Sequence, residues 1–386
     1  MKILLVEPYY TGSHAAWADG YRAHSAHDVA ILGLGGGHWK WRMHGGAVTL
    51  ARRFLASDLA PDLVIASDML DLSTFQALTR ARTVSVPMAV YFHENQLTYP
   101  WSPDDDDAAR GRDRHYGFIN YTSAMAADAV FFNSAYHLQS FYRELQRFLG
   151  RFPDHNEVGT VASLRARSSV LRLGLDLARF DALAGAGNLG GSAGDGPLVL
   201  WNHRWEYDKN PGVFFAALRA LADGGVPFRV AILGESFARQ PEAFDAAREA
   251  LGERVVHFGY VQDFAAYARW LFSADVLPVT SRQDFFGASV VEAVYCGCRP
   301  LLPRRLAYPE LIPEMFHGTV FYDGEDEFVA RLDSMLRAFT PVAGEALRTA
   351  MRRFDWATMA RVYDRIFENV GHRVQGGAKR VRDERA

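Results

Sequence analysis

The chain has 386 residues, 49% of them hydrophobic and 23% charged, and its 42 basic and 45 acidic side chains give a formal net charge of −3. This length exceeds what one hydrophobic core usually serves, so two domains are expected. The composition excludes a disordered or fibrous protein, and the balanced charge excludes a bulk positive field for nucleic acid. No apolar run could span a bilayer, and we expect a cytoplasmic protein that does not bind membranes.

The first half of the chain alternates short apolar runs with amphipathic stretches. The runs are mostly continuous, which is typical of parallel strands buried on both faces of a sheet. Because a helical stretch follows most of them, a doubly wound sheet is the simplest arrangement. We predict a Rossmann-like domain over residues 1–185, with strands at residues 2–7, 28–32, 62–67, 88–93 and 129–133 and helices that include residues 47–59 and 136–149.

A glycine-rich segment at residues 184–197 (AGAGNLGGSAGDGP) interrupts this rhythm. It has no aromatic residue and little to bury, so we predict an interdomain linker at residues 186–197. The alternation then resumes and predicts a second Rossmann-like domain over residues 198–344. Its strands are expected at residues 198–201, 228–233, 254–257 and 276–280, and its helices at about 212–223, 241–252 and 264–273. The predicted fold class is α/β, with two doubly wound domains facing a central cleft.

The C-terminal part divides into two predicted segments. Apolar residues at helical spacing predict a closing helical region over residues 345–370. Residues 371–386 form a charged tail, which we interpret as a solvated terminus; an arm that binds nucleic acid is the alternative.

The segment at residues 284–292 (DFFGASVVE) follows one predicted strand and opens a helix. A glycine-bearing turn into a helix aims free backbone N–H groups at one point, where the helix dipole adds positive potential. We therefore expect a phosphate at residues 287–290. Asp284 and Glu292 can accept hydrogen bonds from sugar hydroxyls. The alternative is a helix-capping aspartate and a solvent-facing glutamate, but the apolar neighbours of Glu292 would bury it without a partner.

A second charged segment, residues 202–211 (NHRWEYDKNP), comes directly after the first strand of the second domain. Ligands of open α/β sheets bind at this carboxyl edge. Arg204 and Lys209 could neutralise a diphosphate there and stabilise the charge on a leaving group. The alternative is a surface loop in which Glu206 and Asp208 pair with the two cations.

Two polar segments end strands of the first domain. His93, Glu94 and Asn95 follow an apolar strand, and His93 could hydrogen-bond a sugar hydroxyl or the reacting centre. After the first strand, Gly12, Ser13 and His14 lie in a glycine turn that suits close approach by a phosphate or an acceptor. The alternative for the histidines is a structural role.

Residues 38–45 (HWKWRMHG) interleave cations with aromatic rings. Such a mixture can stack on bases and hold phosphates, so it is the candidate RNA contact. Packing of these aromatics on the domain is the alternative. The candidate residues are Trp39, Lys40, Trp41 and Arg42.

A run of four acids at residues 104–107 could in principle bind Mg²⁺. Several arginines follow it closely, and we interpret it as a solvated loop. We predict no metal site and no metal requirement.

These residues resemble the retaining GT-B glycosyltransferases of the large family-four group, in which an E-x7-E element and a paired arginine and lysine bind the donor. Here the first acid is Asp284, one methylene shorter than the glutamate of that group. The resemblance implies that Arg204 and Lys209 hold the diphosphate and that Glu292 binds the ribose. It implies that Asp284 and the turn bind the transferred sugar and that His93 lies at its reacting side. The expected donor-binding set is completed by Phe286, Gly287, Ala288 and Ser289, and by Gly234 and Tyr260, which lie in the stretches ILGES and HFGYV that belong to the narrower likeness below.

A narrower likeness covers nearly all of the chain. EPYYTGSH, YFHENQLTYP, FFNSAYHLQSF, NHRWEYDKNP and DFFGASVVEAVYCGCRPLLPRRLAYPE are similar to the tRNA-queuosine α-mannosyltransferase family. The resemblance implies GDP-mannose as donor, no cofactor, and the cyclopentene diol of queuosine in tRNA-Asp as acceptor. Residues 1–185 would then bind the acceptor and residues 198–344 the donor.

Three other functions remain open from the sequence. The first is a retaining GT-B transferase with another nucleotide-sugar donor and a lipid, metabolite or polysaccharide acceptor. The second is a nucleotide-sugar epimerase on the same scaffold, which would need no acceptor. The third is a non-catalytic tRNA-binding protein, which would leave the predicted phosphate contacts without a purpose.

Overall fold

A computed structural model describes residues 1–101, 115–184, 196–234, 242–338 and 345–383, with side chains up to residue 372. The chain forms two compact units. The first comprises Met1–Leu175 together with Trp356–Ala386, and the second comprises Asp176–Asp355. Each unit contains one six-stranded sheet in which every pair of neighbours is parallel. The α/β doubly wound prediction is confirmed for both units.

The sheet of the first unit has the strand order β2-β1-β3-β4-β5-β6. This is the flavodoxin-like variant of the doubly wound sheet, and its order reverses between β1 and β3. Every residue of β3 and β4 is buried, as the continuous apolar runs predict for strands covered on both faces. The strands are β1 (Lys2–Tyr10), β2 (Asp28–Gly35), β3 (Leu63–Ser67), β4 (Met88–Phe92), β5 (Ala129–Phe132) and β6 (Ser168–Val170).

Helices of the first unit pack on this sheet through their apolar stripes. The helix Ala135–Leu149, for example, buries Phe141, Leu145 and Phe148 in the core. Its N-cap is Ser134, whose hydroxyl accepts the N–H of His137 at 3.0 Å. The other helices of this unit are Gly12–His24, Trp39–Leu55, Leu72–Thr83, His115–Ala126, Thr160–Ala166 and Trp356–Asp383.

The sheet of the second unit, read as β9-β8-β7-β10-β11-β12, has the strand order of dinucleotide-binding Rossmann domains. The order reverses between β7 and β10. The strands are β7 (Leu198–Trp201), β8 (Arg229–Ile232), β9 (Val255–Phe258), β10 (Val276–Pro278), β11 (Arg299–Pro303) and β12 (Phe321–Tyr322). The helices are Ala178–Asp181, Pro211–Asp223, Glu242–Leu251, Phe264–Ser273, Ala288–Tyr295, Tyr308–Leu311, His317–Val320, Glu325–Arg337 and Glu345–Met351, with 3₁₀ turns at Tyr207–Lys209, Gly252–Arg254, Glu314–Phe316 and Arg352–Phe354.

The last helix of the chain belongs to the first unit, which differs from the predicted division. The predicted closing region, residues 345–370, is split, because Glu345–Met351 packs in the second unit and the helix from Trp356 packs in the first. The indole of Trp356 fills the space left by two glycines: a Cβ on Gly20 would lie 2.0 Å from its Nε1, and one on Gly174 would lie 2.5 Å from its ring. Apolar spacing predicts that these segments are helices, but not which core they join.

The boundary after the first unit also differs from the predicted one. The division falls after Leu175, whose carbonyl accepts the N–H of Trp356 at 2.9 Å, and residues 176–184 belong to the second unit. Most of the predicted linker, from residue 186 to 195, lies outside the described residues, as does the acidic run 104–107. The predicted tail begins within the helix Trp356–Asp383. Within the described ranges, no helix has the length and hydropathy needed to cross a membrane.

Candidate active site

The two predicted donor-binding segments meet at the reversal point of the second sheet. One segment leaves β7 and the other leaves β10, and these neighbouring strands end at the same edge. The N–H of Arg282 donates to the carbonyl of Asp208 at 2.7 Å, and Asn202 Nδ2 donates to the carbonyl of Ser289 at 2.9 Å. Open α/β sheets bind ligands at such a point. The structure therefore brings together the elements that the sequence assigned to phosphate binding.

Lys209 is the buried cation of this region. Its Nζ lies 3.2 Å from Asp208 Oδ2 and 3.6 Å from Asp284 Oδ2, and it donates to the carbonyl of Gln283 at 2.9 Å. Burial alone would lower the pKa of Lys209, but the carboxylates of Asp284 and Asp208 outweigh this effect and raise it. Lys209 is therefore a permanent positive charge at the edge of the sheet.

Asp284 is held by two side chains. Tyr308 donates its hydroxyl hydrogen to Asp284 Oδ2 at 3.1 Å, and the same oxygen faces Lys209. Asp284 does not cap the following helix, because the N-cap is Gly287, so the capping alternative for Asp284 is wrong. The shorter acid at this position is thus directed toward the lysine rather than along the helix.

Gly287 makes the sharp turn into the helix Ala288–Tyr295. Its φ is +96°, in the left-handed region that glycine adopts without strain. A Cβ at this position would lie 3.1 Å from side-chain atoms of both Leu311 and Tyr308. The ring of Phe286 packs against Phe354 at 5.3 Å between centroids. The turn is therefore closely packed at the buried Gly287, and the helix begins at the half-buried Ala288.

His203 and Gly234 support the segment that follows β7. His203 Nδ1 lies 2.9 Å from the hydroxyl of Ser289. Burial, followed by the charge of Lys209, lowers the pKa of His203 to about 3, so the ring is neutral. A Cβ on Gly234 would lie 2.0 Å from the carbonyl oxygen of His203, and its φ is +118°. Glycine is therefore required at 234 for backbone packing, whether or not it touches a donor.

Glu292 lies one turn further along the same helix and is half-buried. Its Oε2 accepts a hydrogen bond from the hydroxyl of Tyr267 at 2.8 Å. Burial raises the pKa of Glu292 to about 7, and the hydrogen bond from Tyr267 partly opposes this rise. The burial that its apolar neighbours predict is thus partial, and the expectation that Glu292 would lack a partner is wrong, because Tyr267 supplies one.

Arg204 and Tyr260 are the exposed members of the predicted donor set. The Arg204 side chain is 45% exposed, with Nη1 3.4 Å from Glu206 Oε1. Its charge opposes the protonation of Lys209, so the two cations lie within electrostatic range. Tyr260 is 59% exposed after β9. Arg204 and Lys209 thus pair with Glu206 and Asp208, as the alternative predicts, and they also lie near each other, as a phosphate site requires.

In the first unit, Glu7, His14 and His93 meet at the reversal point between β1 and β3. His14 Nδ1 lies 2.9 Å from Glu7 Oε2, and the ring centroids of His14 and His93 lie 4.3 Å apart. Asp68, which follows β3, accepts the N–H of His93 at 2.8 Å. Two of the predicted residues, His14 and His93, are therefore in contact although 79 positions separate them in the chain.

One nitrogen of each ring and one oxygen of Glu7 lie within 4.8 Å of one another, close enough to share a cation. However, both oxygens of Glu7 already accept hydrogen bonds, one from His14 and one from the N–H of Tyr9 at 2.8 Å. The donor set therefore fits a hydrogen-bonded ion pair better than a metal centre. The expectation of no metal stays a prediction.

The other predicted acceptor residues near this cluster differ in exposure. Gly12 and Ser13 are exposed, and Gly12 has a φ of +51° with open space around it. Glu94 is half-buried and accepts from Gln96 Nε2 at 2.9 Å. Asn95 is fully buried, and its Oδ1 accepts the N–H groups of residues 97 and 98, so it shapes its own loop rather than facing a ligand.

The aromatic and basic stretch forms the first turn of the helix Trp39–Leu55 rather than a loop. Trp39 packs against Tyr116 at 5.0 Å, and Lys40 Nζ lies 5.7 Å from the Trp39 ring. Arg42 Nε donates to the carbonyl of Gly35 at 3.0 Å. Trp41 is 65% exposed. The packing alternative thus holds for Trp39, while Trp41 presents an aromatic face to solvent.

Several residues of these sites were not predicted. Asp68 follows a continuous apolar strand, and the same signal that pointed to His93 could have found it. Asn202 and His203 lie inside the segment that contains Arg204. Tyr267 and Tyr308 carry no local signal, since each is a single tyrosine in a helix that meets the site only through tertiary packing.

Comparison with known proteins gives two family models and a set of similar folds. The model described as tRNA-queuosine alpha-mannosyltransferase N-terminal matches residues 2–175, and the model described as glycosyl transferases group 1 matches residues 190–339. Sucrose-phosphate synthase from Thermosynechococcus elongatus is similar with a TM-score of 0.69 and 14% identity, covering 96% of this chain and 99% of that one. HepE from Anabaena in complex with UDP has a TM-score of 0.66 and 14% identity, covering 96% and 100%.

The two parallel sheets, the paired loops and these matches define a glycosyltransferase with the GT-B fold. The tRNA-queuosine alpha-mannosyltransferase of Drosophila melanogaster is 34% identical over 316 residues, which are 81% of this chain and 82% of that protein. The chain belongs to the tRNA-queuosine alpha-mannosyltransferase family. The predictions of the fold, the enzyme class and the family are confirmed.

A more distant relative is the GDP-mannose-dependent alpha-(1-6)-phosphatidylinositol dimannoside mannosyltransferase of Mycobacterium tuberculosis (strain ATCC 25177 / H37Ra). It is 31% identical over 115 residues, which are 30% of this chain and 29% of that protein.

Proposed function

We propose that this enzyme transfers mannose from GDP-mannose to the cyclopentene diol of queuosine in the anticodon of tRNA-Asp, with retention of configuration. The observation that carries the proposal is the buried ammonium of Lys209, 3.6 Å from the acid that begins the turn at Gly287. Family membership supports the acceptor. Because the proposed acceptor is a tRNA, we propose that the reaction takes place in the cytoplasm.

The second unit would bind the nucleotide sugar. A diphosphate needs positive charge and backbone N–H donors, and Lys209, Arg204 and the helix start at Gly287–Ser289 offer both. Glu292 suits the ribose diol, since a half-buried carboxylate accepts hydrogen bonds from two hydroxyls. Asp284 suits a hydroxyl of the transferred sugar. A bound diphosphate would compete with Asp284 for Lys209, which gives the donor a direct way to reorganise the site.

For the chemical step we propose a displacement on one face of the sugar. The bond from the anomeric carbon to the leaving phosphate oxygen breaks while the acceptor oxygen forms its bond on the same face. The acceptor proton passes to the leaving phosphate oxygen. Negative charge grows on the diphosphate, and the fixed charge of Lys209 stabilises it more in the transition state than in the ground state. This scheme needs no metal or other cofactor.

The first unit would bind the acceptor. His93 and Glu94 are half-buried polar groups at the edge of the sheet, and Ser13 is an exposed hydroxyl in the first turn of the helix Gly12–His24. Trp41, with Lys40 and Arg42 in the same helical turn, offers a ring for stacking on an unpaired base and charges for its phosphates.

A transfer assay with purified protein tests this function. Labelled GDP-mannose is incubated with tRNA that contains queuosine and with otherwise identical tRNA that lacks it, with and without EDTA. We expect mannosylated queuosine after nuclease digestion, only from the first tRNA and in either buffer. Label in neither tRNA overturns the proposed acceptor, and release of an altered free sugar without acceptor identifies an epimerase.

A lipid acceptor is the second candidate, favoured by one comparison. The mycobacterial relative is named for GDP-mannose and for a phosphatidylinositol dimannoside. Its similarity supports the same donor and leaves the acceptor class open. A thermal-shift series with GDP-mannose, UDP-glucose and ADP-glucose tests the donor independently of any acceptor, because a ligand of the native state raises the unfolding temperature.

A further inference from the structure

A pair of histidine rings lies at the point where the first sheet reverses its strand order. The centroids of His14 and His93 are 4.3 Å apart, with their planes at 42°. Glu7 is directed at one of these rings, since its Oε2 lies 2.9 Å from His14 Nδ1 while its other oxygen accepts the N–H of Tyr9. The rings are adjacent, but only His14 has a carboxylate partner of this kind.

The two rings carry different charges. Burial disfavours a cation at His14, but Glu7, followed by Asp68 and Glu94, raises its pKa to about 9. Burial, followed by the charge of His14, lowers the pKa of His93 well below its usual value. At neutral pH the buried pair is therefore one imidazolium and one neutral imidazole.

The other groups around the pair do not change this division. His137 also lowers the pKa of His93, and Tyr9 meets His14 edge-on at 6.0 Å. Trp17 and Tyr91 are the remaining rings against His93, at 4.7 and 4.8 Å between centroids, and neither carries a charge at neutral pH.

The position of His14 makes its charge costly without these carboxylates. It is the third residue of the helix Gly12–His24, and the dipole of a helix already places positive potential at its N-terminus. Both burial and the helix dipole disfavour a cation at this position, so the protonated state of His14 depends on the carboxylate of Glu7.

The nitrogens of His93 differ in exposure. Within the described residues, Nε2 is buried without a hydrogen-bond partner, and Nδ1 also has none but is not among the buried atoms. One nitrogen of each ring lies within 4.8 Å of the other. An N–H buried without an acceptor costs free energy, so the neutral ring is more stable with a lone pair on Nε2 and its N–H on the nitrogen that can reach an acceptor. The proton of His93 then resides on the outer nitrogen, Nδ1.

We propose that Glu7 is a positioning residue: its carboxylate holds His14 as a cation, and this cation fixes His93 as a neutral ring that donates a hydrogen bond from Nδ1 to an oxygen of the reacting substrates. The inference rests on the proposed function only for the identity of that oxygen. The charge and tautomer of the two rings are properties of the protein alone and can be measured without substrate.

Nitrogen-15 NMR of the histidine rings in the full chain tests the first part. We expect His14 to stay doubly protonated up to pH 8 and His93 to be neutral with its proton on Nδ1, with signals assigned through His14→Gln and His93→Gln. Wild-type protein with a neutral His14 at pH 7, or with the His93 proton on Nε2, overturns the proposal.

The variant Glu7→Gln tests the second part. Without the carboxylate, burial dominates and His14 loses its proton near neutral pH, so transfer at pH 7.5 should fall about tenfold or more, a typical effect of one misplaced proton donor. Since acid restores the cation, the rate relative to wild type should rise as the pH falls to 6. A constant ratio across this range, or wild-type activity, contradicts the role.

Asp19→Asn is the matched control. Asp19 lies in the helix that carries His14, but its carboxylate pairs with Tyr10 and Arg22, outside the cluster of Glu7, His14 and His93. This variant should leave both rate and pH profile unchanged. If wild-type protein transfers no mannose from GDP-mannose, the proposed function fails while the NMR result stands. If Glu7→Gln does not fold, the wild-type titration alone still decides the charge and tautomer.

Discussion

Each of the two sheets has a cation paired with carboxylates at its reversal point, but the two cations differ in chemistry. In the second unit the cation is Lys209, paired with Asp208 and Asp284. In the first unit it is His14, paired with Glu7. In both units, a buried cation lies in the segment that follows the first strand of the sheet. Carboxylates at the same edge of the sheet keep this cation protonated.

The difference between them lies in what each cation can do. An ammonium of raised pKa stays charged at every physiological pH, which suits a permanent partner for phosphate. An imidazole with a pKa of about 9 is charged only because its neighbours hold it so, and its ring contacts a second histidine. We infer that the second unit supplies constant charge and that the first unit supplies a directed hydrogen bond.

The largest expected effect is the loss of the constant charge. Lys209→Ala should lower turnover by about a hundredfold to a thousandfold, because a preorganised cation at a developing negative charge contributes about 3 to 4 kcal/mol. Transfer from GDP-mannose under saturating tRNA measures it. Asp284 keeps its hydrogen bond from Tyr308, but the buried Asp208 loses its ion pair, so some loss of stability is expected and folding is measured separately.

Arg331→Ala is the control for Lys209→Ala, because it removes a cation of the same unit that pairs with Glu327 at 2.7 Å and donates to the carbonyl of Gly318. Arg331→Ala should retain wild-type turnover. Circular dichroism shows whether each variant is folded. Wild-type turnover in folded Lys209→Ala removes the proposed role of the ammonium.

The sheets of both units were predictable because parallel strands buried on both faces leave continuous apolar runs. The runs at residues 62–67 and 88–93 correspond to Leu63–Ser67 and Met88–Phe92. The return of the final helix to the first unit was not predictable. It depends on Trp356 fitting over two distant glycines, and no spacing in the sequence reports such a fit.

The candidate site divides in the same way. Segments that directly follow a strand, such as those with Lys209 and His93, could be identified because topology alone brings strand ends together. Tyr267 and Tyr308, which reach the site from helices elsewhere in the unit, could not be identified in this way. Asn95 also follows the strand that precedes His93, but its side chain accepts hydrogen bonds from the N–H groups of its own turn and does not face a ligand.

The first unit carries the exposed indole of Trp41, 65% exposed, and replacing this side chain tests whether that surface binds RNA. Trp41→Ala should weaken tRNA binding by about 1 to 3 kcal/mol, the usual contribution of one base stacked on a ring. Fluorescence anisotropy at fixed salt measures it, since phosphate contacts vary with ionic strength. Phe152→Ala, which removes another exposed ring of the unit, 45% exposed, is the control and should bind normally.

Gly287 tests how closely a donor approaches the backbone of the second unit. Gly287→Ala should cost about 1 kcal/mol of stability from the left-handed φ and should also weaken GDP-mannose binding, measured by calorimetry. Gly297→Ala is the matched control, because Gly297 has a φ of +103° with open space around it just beyond the same helix. It should lose stability alone. Equal donor affinity in the two variants contradicts close approach at Gly287.

The smallest expected effect concerns Glu292, whose pKa burial raises to about 7. In the proposed site only the ionised carboxylate would accept hydrogen bonds from both ribose hydroxyls, so its contribution to donor affinity should be present above this pKa and be lost as the pH falls through it. Tyr267→Phe removes a hydrogen bond that favours the carboxylate, so the midpoint should move to higher pH. We expect the affinity for the donor to fall at pH 7 and to recover at pH 8.5, where more of the carboxylate is ionised. Tyr295→Phe, on the same helix but bonded to Asp181, should keep the wild-type midpoint. If the pH midpoint of donor affinity is unchanged in Tyr267→Phe, Glu292 does not bind the donor. The charge of Lys209 then remains as the basis of donor binding in that unit.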